Sequence, residues 1–440
     1  MADAGDTGAV ASAMSALLRD DTARETQDLH RCGHATVPLL LVALGELSTL
    51  PATSPPRRIV STLFSLAEEH ISSTPFASVA RCWLQLYTDA SIVGAILDLM
   101  TAQRPDVTIR RLDMAQIVAG AIGEQRREWI QRLIRVAQRL SPPRSSRCTA
   151  KRRRLSPPDP ALLFAPTPIP TLPSAPSLSS YIKLHKDRPF ILREYATSGL
   201  SSPSWPAIHR WRSPDYLLDT VGEGRVVPVE IGAAYDQEGW GQRIVPLRDM
   251  MARAGYDVAP ETPGADSGAP LYLAQHSLLE QFPELGGDIC MPDYVWSNPA
   301  PDRAPATDDG IIINVWLGSA SSEVISPAHT DPYYNCYVQV LGSKRVWLAP
   351  PEVGKYMLPH GSNADSLASY MTNTSQVPIL RPINDFQQLR PAYPDFFEHV
   401  WPVCLEAVLE PGDLLIMPPG WWHAMRAEGG GVSWSVSIWY

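Results

Sequence analysis

The sequence predicts an α+β protein with a helical N-terminal region and a C-terminal double-stranded β-helix, or jelly roll. Over residues 10–140, apolar clusters alternate with arginine-bearing faces, which is typical of a helical bundle. Beyond residue 310, short apolar runs are separated by Gly and Pro turns, as in jelly-roll strands. A Pro/Ser/Arg-rich stretch separates the two parts. We therefore predict a helical domain over 1–140, an extended linker over 141–176 and a barrel domain over 177–440.

The individual strands of the barrel are predicted from β-forming residues bounded by turn residues. A Leu-Gly-Ser-Lys sequence at 341–344 reads as a tight turn between two of them, and Pro-Gly-Asp at 411–413 as another. A barrel of this kind can hold a small ligand at its mouth. The predicted strand regions are Gly310–Leu317, Tyr333–Val340, Arg345–Ala349, Ala407–Met417 (two strands) and Val432–Tyr440.

Composition limits the class of protein. The 440 residues are 45% hydrophobic, enough for two or three domains with substantial cores. The six cysteines show no CxxC pair, which favours a reduced intracellular protein. No apolar run reaches membrane-spanning length, and the acidic start does not resemble a secretory signal, so we expect no membrane association.

Charge is divided unevenly along the chain. Residues 1–155 hold 20 Lys/Arg against 15 Asp/Glu (net +5), and the remainder holds 17 against 31 (net −14). An acidic barrel half suits a cationic protein substrate, such as an arginine-rich or histone-like segment, and argues against direct nucleic-acid binding there. The helical half is expected to dock protein partners or to support the barrel.

The predicted linker contains a basic run, Lys151–Leu155. It has two interpretations, a nuclear import signal or a solvated basic patch, and composition alone does not separate them. We predict a nuclear or cytoplasmic location, or both.

One motif carries a metal-binding pattern. His329 and Asp331 are two residues apart in a predicted strand, so their side chains share one face, and His423 follows 94 positions later. Two histidines and one carboxylate form the facial triad of non-haem Fe(II) oxygenases, which leaves coordination positions open. Zinc more often uses thiolates or a third histidine. A barrel that holds zinc or manganese remains an alternative.

Several further blocks resemble the JmjC-domain 2-oxoglutarate oxygenases of the cupin superfamily, and are close to the subgroup of JmjC domain-containing protein five, also called lysine demethylase eight. The blocks keep their order and approximate spacing over roughly residues 175–440, which makes the resemblance more specific than any single motif. They are Val229–Tyr235, Tyr272–His276, Phe282–Leu285, Ile313–Gly318, Ser326–Asn335, Gln339–Lys344 and Trp422–His423.

The resemblance implies that His329, Asp331 and His423 form the catalytic Fe(II) site, with 2-oxoglutarate and O₂ as co-substrates. The far carboxylate of 2-oxoglutarate needs a cation inside an apolar barrel, and Lys344 matches the family lysine. By turn pattern alone, Lys344 would be an exposed hairpin residue. The residues implied to contact the co-substrate are Tyr272, Ser326, Asn335 and Lys344.

A second set of positions matches a family pocket for an arginine side chain. A carboxylate offers a guanidinium a bidentate partner, and aromatic faces stack on its plane. The competing interpretation of each aromatic residue is ordinary core packing. The implied substrate-binding residues are Glu230, Tyr235, Trp240, Gln275 and Trp316.

The resemblance implies a protein hydroxylase that acts on arginyl residues. An alternative with the same chemistry is demethylation of methyl-lysine in histone H3. Glu230 favours arginine, because a reader of methylammonium relies on an aromatic cage. A second alternative is a non-catalytic JmjC scaffold that acts through its helical half.

Overall fold

The computed structural model describes residues 2–45, 55–75, 78–101, 104–141, 165–197, 204–235, 239–265, 268–299, 304–320, 324–361, 371–381 and 386–440. The basic run at 151–155 and most of the predicted linker lie outside these ranges. The chain divides into two compact units, residues 1–147 with 222–227, and residues 148–221 with 228–440. The domain boundaries drawn from the sequence stay predictions.

The first unit is helical, as the sequence predicted, and its core surrounds helix α5. This helix is buried from Gln85 to Leu99, because apolar residues occupy nearly all of its faces. Helices α4, α6 and α7 pack against it. None of the helices described in the chain has the length and apolarity needed to cross a bilayer. The helices of this unit are α1 (Ala2–Leu18), α2 (Arg24–His30), α3 (Thr36–Gly45), α4 (Pro55–Ser72), α5 (Arg81–Met100), α6 (Pro105–Ala119) and α7 (Arg126–Leu140).

A buried ion pair joins α7 to α5 inside this core. Arg126 donates from Nε and Nη2 to the two carboxylate oxygens of Asp89, at 2.9 and 3.1 Å. Both side chains are 0% exposed. The bidentate geometry satisfies both oxygens, which offsets the cost of removing two charges from water.

Replacing Arg126 with methionine is expected to destabilise the helical unit strongly. The substitution leaves the Asp89 carboxylate buried without its cation, and breaking one side of a buried pair costs about 3–5 kcal/mol. Chemical denaturation followed by circular dichroism measures the loss. The control is Arg127→Met, because Arg127 is exposed on the same helix. Equal unfolding free energies for the two variants would show that the buried pair contributes little.

The second unit is the barrel. Its strands are β1 (Thr167–Pro168), β2 (Phe190–Leu192), β3 (Val226–Ile231), β4 (Gly241–Pro246), β5 (Leu271–His276), β6 (Ile312–Ser319), β7 (Ile325–Thr330), β8 (Asn335–Leu341), β9 (Ser343–Ala349), β10 (Leu405–Leu409), β11 (Leu414–Met417), β12 (Trp422–Glu428) and β13 (Val432–Trp439). Its short helices are α8 (Leu178–Ser180), α9 (Ala207–Arg210), α10 (Pro214–Val221), α11 (Leu247–Ala254), α12 (Leu278–Gln281) and α13 (Pro283–Gly286).

The strands form two sheets. One has the order β1-β10-β9-β12-β7, and the other β2-β11-β8-β13-β6-β5-β3-β4. Residues from both sheets share one apolar cluster, including Tyr337 and Leu415 from one and Leu348 and Met425 from the other. The core therefore lies between the sheets. The predicted fold, a helical region followed by a double-stranded β-helix, is confirmed.

One local prediction was wrong in a way that matters for the site. The turn between β8 and β9 is not Leu341–Lys344, because Gly342 alone lies between the strands with a φ of 68°. Glycine adopts this left-handed conformation without a Cβ clash, so the chain passes from one sheet to the other over one residue. Lys344 consequently belongs to β9, and it is only 3% exposed. The exposed-hairpin interpretation of Lys344 is excluded.

Candidate metal centre

Two neighbouring strands bring the three predicted metal ligands together. Strands β7 and β12 pair antiparallel, and His423 lies directly opposite His329. Asp331 lies one residue beyond the end of β7, where Gly420 N donates to its carbonyl at 2.8 Å. The expectation that His329 and Asp331 share a strand is therefore corrected: the carboxylate comes from the first turn after β7.

The ligand atoms converge on one point. One ligand atom from each of His329, Asp331 and His423 lies within 4.8 Å of the others. His423 Nε2 is 3.5 Å from Asp331 Oδ2, and His329 Nε2 is 3.9 Å from Asp331 Oδ1. Two imidazole nitrogens and one carboxylate oxygen at these separations match the donor set of a facial Fe(II) site.

Backbone carbonyls fix the orientation of both imidazoles. His329 Nδ1 lies 2.8 Å from Pro327 O, and His423 Nδ1 lies 3.1 Å from Trp421 O. A carbonyl can only accept, so each Nδ1 carries the proton and donates it. In the neutral form of each ring, Nε2 then carries the lone pair, on the side that faces Asp331. This second layer of hydrogen bonds is typical of histidine metal ligands.

The electrostatic environment favours the protonation states that a cation requires at His329 and Asp331, but not at His423. Burial, followed by the neighbouring His423, lowers the pKa of His329 to about 4, so its ring is neutral. Burial opposes ionisation of Asp331, but the hydrogen bond and charge of His423 outweigh it and lower the Asp331 pKa. Burial likewise disfavours protonated His423, yet Asp331 raises its pKa overall. A proton on His423 Nε2 and a metal ion therefore compete for the same carboxylate.

A narrow cleft leads from the triad to Lys344. It has a volume of about 20 Å³, room for one water-sized sphere, so a larger guest requires side chains to shift. The four residues predicted to bind the co-substrate all line it: Tyr272, Ser326, Asn335 and Lys344. The triad and the lysine thus share one cavity, as the predicted chemistry requires.

Lys344 is a buried cation with neutral neighbours. Its Nζ donates to Tyr272 Oη at 3.1 Å and to Ser435 Oγ at 3.2 Å. Within the described ranges no carboxylate contacts it, and burial lowers its pKa to about 7. An ammonium at the end of an enclosed cleft is stabilised by an anion, and the cleft therefore suits a guest that carries a negative charge.

We expect the affinity for 2-oxoglutarate to fall as pH rises from 7 to 9. Lys344 has a pKa of about 7 in the free protein, and a bound carboxylate raises it again. Above pH 7, binding therefore takes up a proton, and affinity falls by up to about tenfold per pH unit. Titration calorimetry of the metal-loaded protein in two buffers of different ionisation enthalpy measures this uptake. Lys344→Met should bind weakly and without proton uptake; pH-independent binding by the unsubstituted protein contradicts this role of Lys344.

A wider cavity of about 510 Å³ continues from the triad toward the surface. All five residues predicted to bind substrate line it: Glu230, Tyr235, Trp240, Gln275 and Trp316. It shares six lining residues with the narrow cleft: Tyr272, Gln275, Trp316, Ser326, His329 and Asp331. A guest in the wider cavity therefore lies directly beside the metal ligands.

Glu230 is the counterpart of Lys344 in this wider cavity. Burial raises the pKa of Glu230, and the nearby Trp240 indole opposes the shift only in part. No cationic side chain of the described chain forms an ion pair with it. The indole N–H groups of Trp240 and Trp316 are also buried without aligned acceptors among the described residues. A half-buried carboxylate beside aromatic rings suits a guest that brings its own positive charge.

Sequence reasoning missed part of the cavity wall. The segment 371–376 runs along the outer edge of β7, where Thr374 forms a bridge with His329 and Ser375 N donates to Ala328 O at 2.7 Å. Thr374 Oγ1 is 3.2 Å from the hydroxyl of Tyr235. No local pattern marks an irregular segment this far from the motif. The serines at 435 and 437 did carry a signal, because they alternate with apolar residues in β13 and face the narrow cleft or its lysine.

Comparisons with known proteins agree with this geometry. A model of the cupin-like domain matches residues 180–440. Jumonji C domain-containing protein 5 of Drosophila melanogaster is 38% identical over 54% of this chain and 52% of its own. Lysine-specific demethylase 8 of Danio rerio is 37% identical over 54% and 50%. Lysine-specific demethylase JMJ30 of Arabidopsis thaliana is 31% identical over 57% and 52%.

The family model covers the barrel half of the molecule. The chain matches only about half the length of these curated relatives. A solved structure, of E. coli ycfD, matches at 14% identity with a TM-score of 0.32 over 60% of this chain and 53% of its own, too low to support an argument. Fe(II) and 2-oxoglutarate, the expected cofactors, are those of the JmjC oxygenases. The resemblance drawn from the sequence motifs is confirmed: the chain belongs to the cupin-like domain family and is similar to JmjC proteins.

Proposed function

We propose that the protein is an Fe(II)- and 2-oxoglutarate-dependent hydroxylase of arginyl residues in protein substrates. One observation carries the proposal. Lys344 and Glu230 are charged groups that have no counter-charge among the described residues. They lie in two connected cavities that meet at the triad. The cation suits the co-substrate carboxylate, and the carboxylate suits a cationic side chain of the substrate.

The triad would hold the iron through His329 Nε2, His423 Nε2 and the Asp331 carboxylate. When bound, Fe(II) with 2-oxoglutarate and O₂ supplies an oxidation in which 2-oxoglutarate becomes succinate and CO₂ while one oxygen atom enters a C–H bond. The protein's own contribution is orientation. The Pro327 and Trp421 carbonyls hold the two imidazoles so that both Nε2 atoms face the same point.

Lys344 and Tyr272 would bind the far carboxylate of 2-oxoglutarate by charge-assisted hydrogen bonds. Both side chains are buried, at 3% and 8% exposure, so water competes poorly for the same donors. Ser326 and Asn335 supply further polar contacts along the cleft. These four residues orient the co-substrate relative to the triad.

Glu230 would orient the substrate by accepting two N–H groups from a guanidinium, which brings an adjacent carbon toward the triad. Tyr235, Trp240 and Trp316 provide aromatic faces for its planar cation, and Gln275 adds a polar contact. The acidic balance of the barrel half also favours a basic protein segment as the partner.

Demethylation of methyl-lysine is the second candidate, since relatives of this chain are named lysine-specific demethylases. A methylammonium group has fewer directed donors than a guanidinium, so a half-buried carboxylate favours arginine. A purely non-catalytic scaffold has no use for a converging triad and a buried lysine.

A nuclear or cytoplasmic location remains a prediction, because the basic run lies outside the described residues.

Mass spectrometry of peptides distinguishes these functions. The iron-loaded protein is incubated with 2-oxoglutarate and with matched peptides that contain either arginine or methyl-lysine. A gain of one oxygen atom on the arginine peptide supports the proposal. Loss of a methylene unit with release of formaldehyde supports demethylation instead. Iron-dependent succinate formation with neither product contradicts both substrate assignments while leaving the oxygenase site intact.

A further inference from the structure

A second polar pocket lies in the helical unit, among α4, α5 and α6. It is a cavity of about 160 Å³ with an apolar wall that includes Val60 and Phe64. The lining also includes two arginines, Arg57 of α4 and Arg111 of α6, and Asp98 of α5. The metal-site chemistry does not use any of these residues.

The pocket has one positive charge in excess. Arg57 Nη1 and Arg111 Nη1 each donate to one oxygen of the same Asp98 carboxylate, which is 9% exposed. The two arginine side chains are 22% and 30% exposed. The ion pairs of the described helices include no second carboxylate for either guanidinium. A partly buried cation without its own anion favours binding of an anion from outside.

One hydrogen-bond donor of Arg57 is also unsatisfied. Arg57 Nη2 donates to Leu97 O at 3.2 Å and to Thr101 Oγ1 at 2.6 Å. Arg57 Nε, by contrast, is buried and has no acceptor within the described residues. A buried N–H without an acceptor is rare in folded proteins, so the described chain leaves the Arg57 guanidinium incompletely satisfied.

The position of Arg111 depends on a glycine in the middle of α5. A Cβ at Gly94 would lie 2.7 Å from Arg111 Nη1 and 3.3 Å from Val60 Cγ1. Glycine in a helix interior is unfavourable compared with alanine. Here its missing side chain lets the guanidinium lie against the helix backbone, so the arginine wall of the cavity depends on this residue.

We propose that this pocket, formed by Arg57, Arg111, Asp98 and the apolar wall, binds a carboxylate carried on a short apolar chain. The excess of one positive charge matches a monoanion, whereas a dianion would leave a charge without a partner. The carboxylate accepts from the two guanidinium groups, and its chain packs on Val60 and Phe64. A free carboxylic acid and the C-terminal residue of a partner protein share this chemistry.

Arginine Nε–Hε signals of the ¹⁵N-labelled full chain test the proposal directly, with butyrate as the probe. We expect saturable shifts of the Arg57 and Arg111 signals with butyrate and none with butyramide, which has the same shape without the charge. If N-acetylleucine binds more tightly than butyrate, the source of the carboxylate is the C-terminus of a protein. If butyrate binds more tightly, the source is a free carboxylic acid. Absence of a saturable shift, or an equal effect of butyramide, overturns the proposal.

Two variants and one control complete the test. Arg111→Gln and Gly94→Ala should each weaken butyrate binding by about tenfold or more, since each removes or displaces one charged donor. Gly94→Ala places a better helix former in α5 and keeps every charge, which separates loss of binding from loss of folding. Arg58→Gln changes the exposed neighbour of Arg57 and should bind as the unsubstituted chain. Unchanged binding in both test variants contradicts the site.

Discussion

Replacing Asp331 with alanine is expected to lower iron affinity by more than about 100-fold and to reduce succinate formation to background. Asp331 is the only anionic member of the triad, and its two oxygens face the Nε2 atoms of His329 and His423. Without it, two neutral imidazoles remain, which balance none of the charge of Fe(II). Metal analysis after anaerobic reconstitution measures the iron affinity. Quantification of succinate measures the activity.

The matched control for this experiment is Asp308→Ala, which removes an exposed carboxylate from the same unit. Thermal unfolding of both variants checks that each remains folded. If Asp331→Ala binds as much iron as the unsubstituted protein, the Asp331 carboxylate is not a ligand. The same conclusion follows if Asp308→Ala loses as much iron as Asp331→Ala.

Replacing Glu230 with glutamine should separate substrate recognition from co-substrate chemistry. Glutamine keeps the shape of the side chain but removes the charge that is expected to pair with a guanidinium. Truncating one partner of a buried, hydrogen-bonded charge pair costs about 2–5 kcal/mol, so we expect oxidation of an arginine peptide to fall by about 30-fold or more. Most of the loss should appear as a higher KM.

Binding of 2-oxoglutarate should be unchanged in Glu230→Gln, because Lys344 and Tyr272 are intact and lie in the narrow cleft. Glu352→Gln serves as the control, since Glu352 is exposed on the same unit. If arginine-peptide oxidation in Glu230→Gln matches the control, the arginine pocket is wrongly assigned, although the oxygenase chemistry would stand.

Much of the barrel could be predicted because strands leave a local pattern. Alternating and apolar runs between Gly and Pro turns located β6, β8, β9, β10, β11 and β13 to within a few residues. The His329–Asp331 spacing predicted a shared cation site, although Asp331 lies beyond the strand. These signals are short-range, so a single sequence suffices to detect them.

What the sequence did not reveal depends on distant contacts. The local turn pattern places Lys344 at the surface, because composition does not show that Gly342 alone connects β8 to β9 across the two sheets. The contact of Thr374 with Tyr235 joins residues 139 positions apart. The shared pairing of Arg57 and Arg111 with Asp98 similarly requires three helices to be packed.

The most direct test of the central claim is succinate release by the iron-loaded protein, measured beside His329→Ala under identical conditions. The arrangement of the triad and Lys344 in one cavity predicts iron-dependent conversion of 2-oxoglutarate to succinate that falls to background when His329 is removed. Equal rates of succinate release by the two proteins would contradict the proposed oxygenase site.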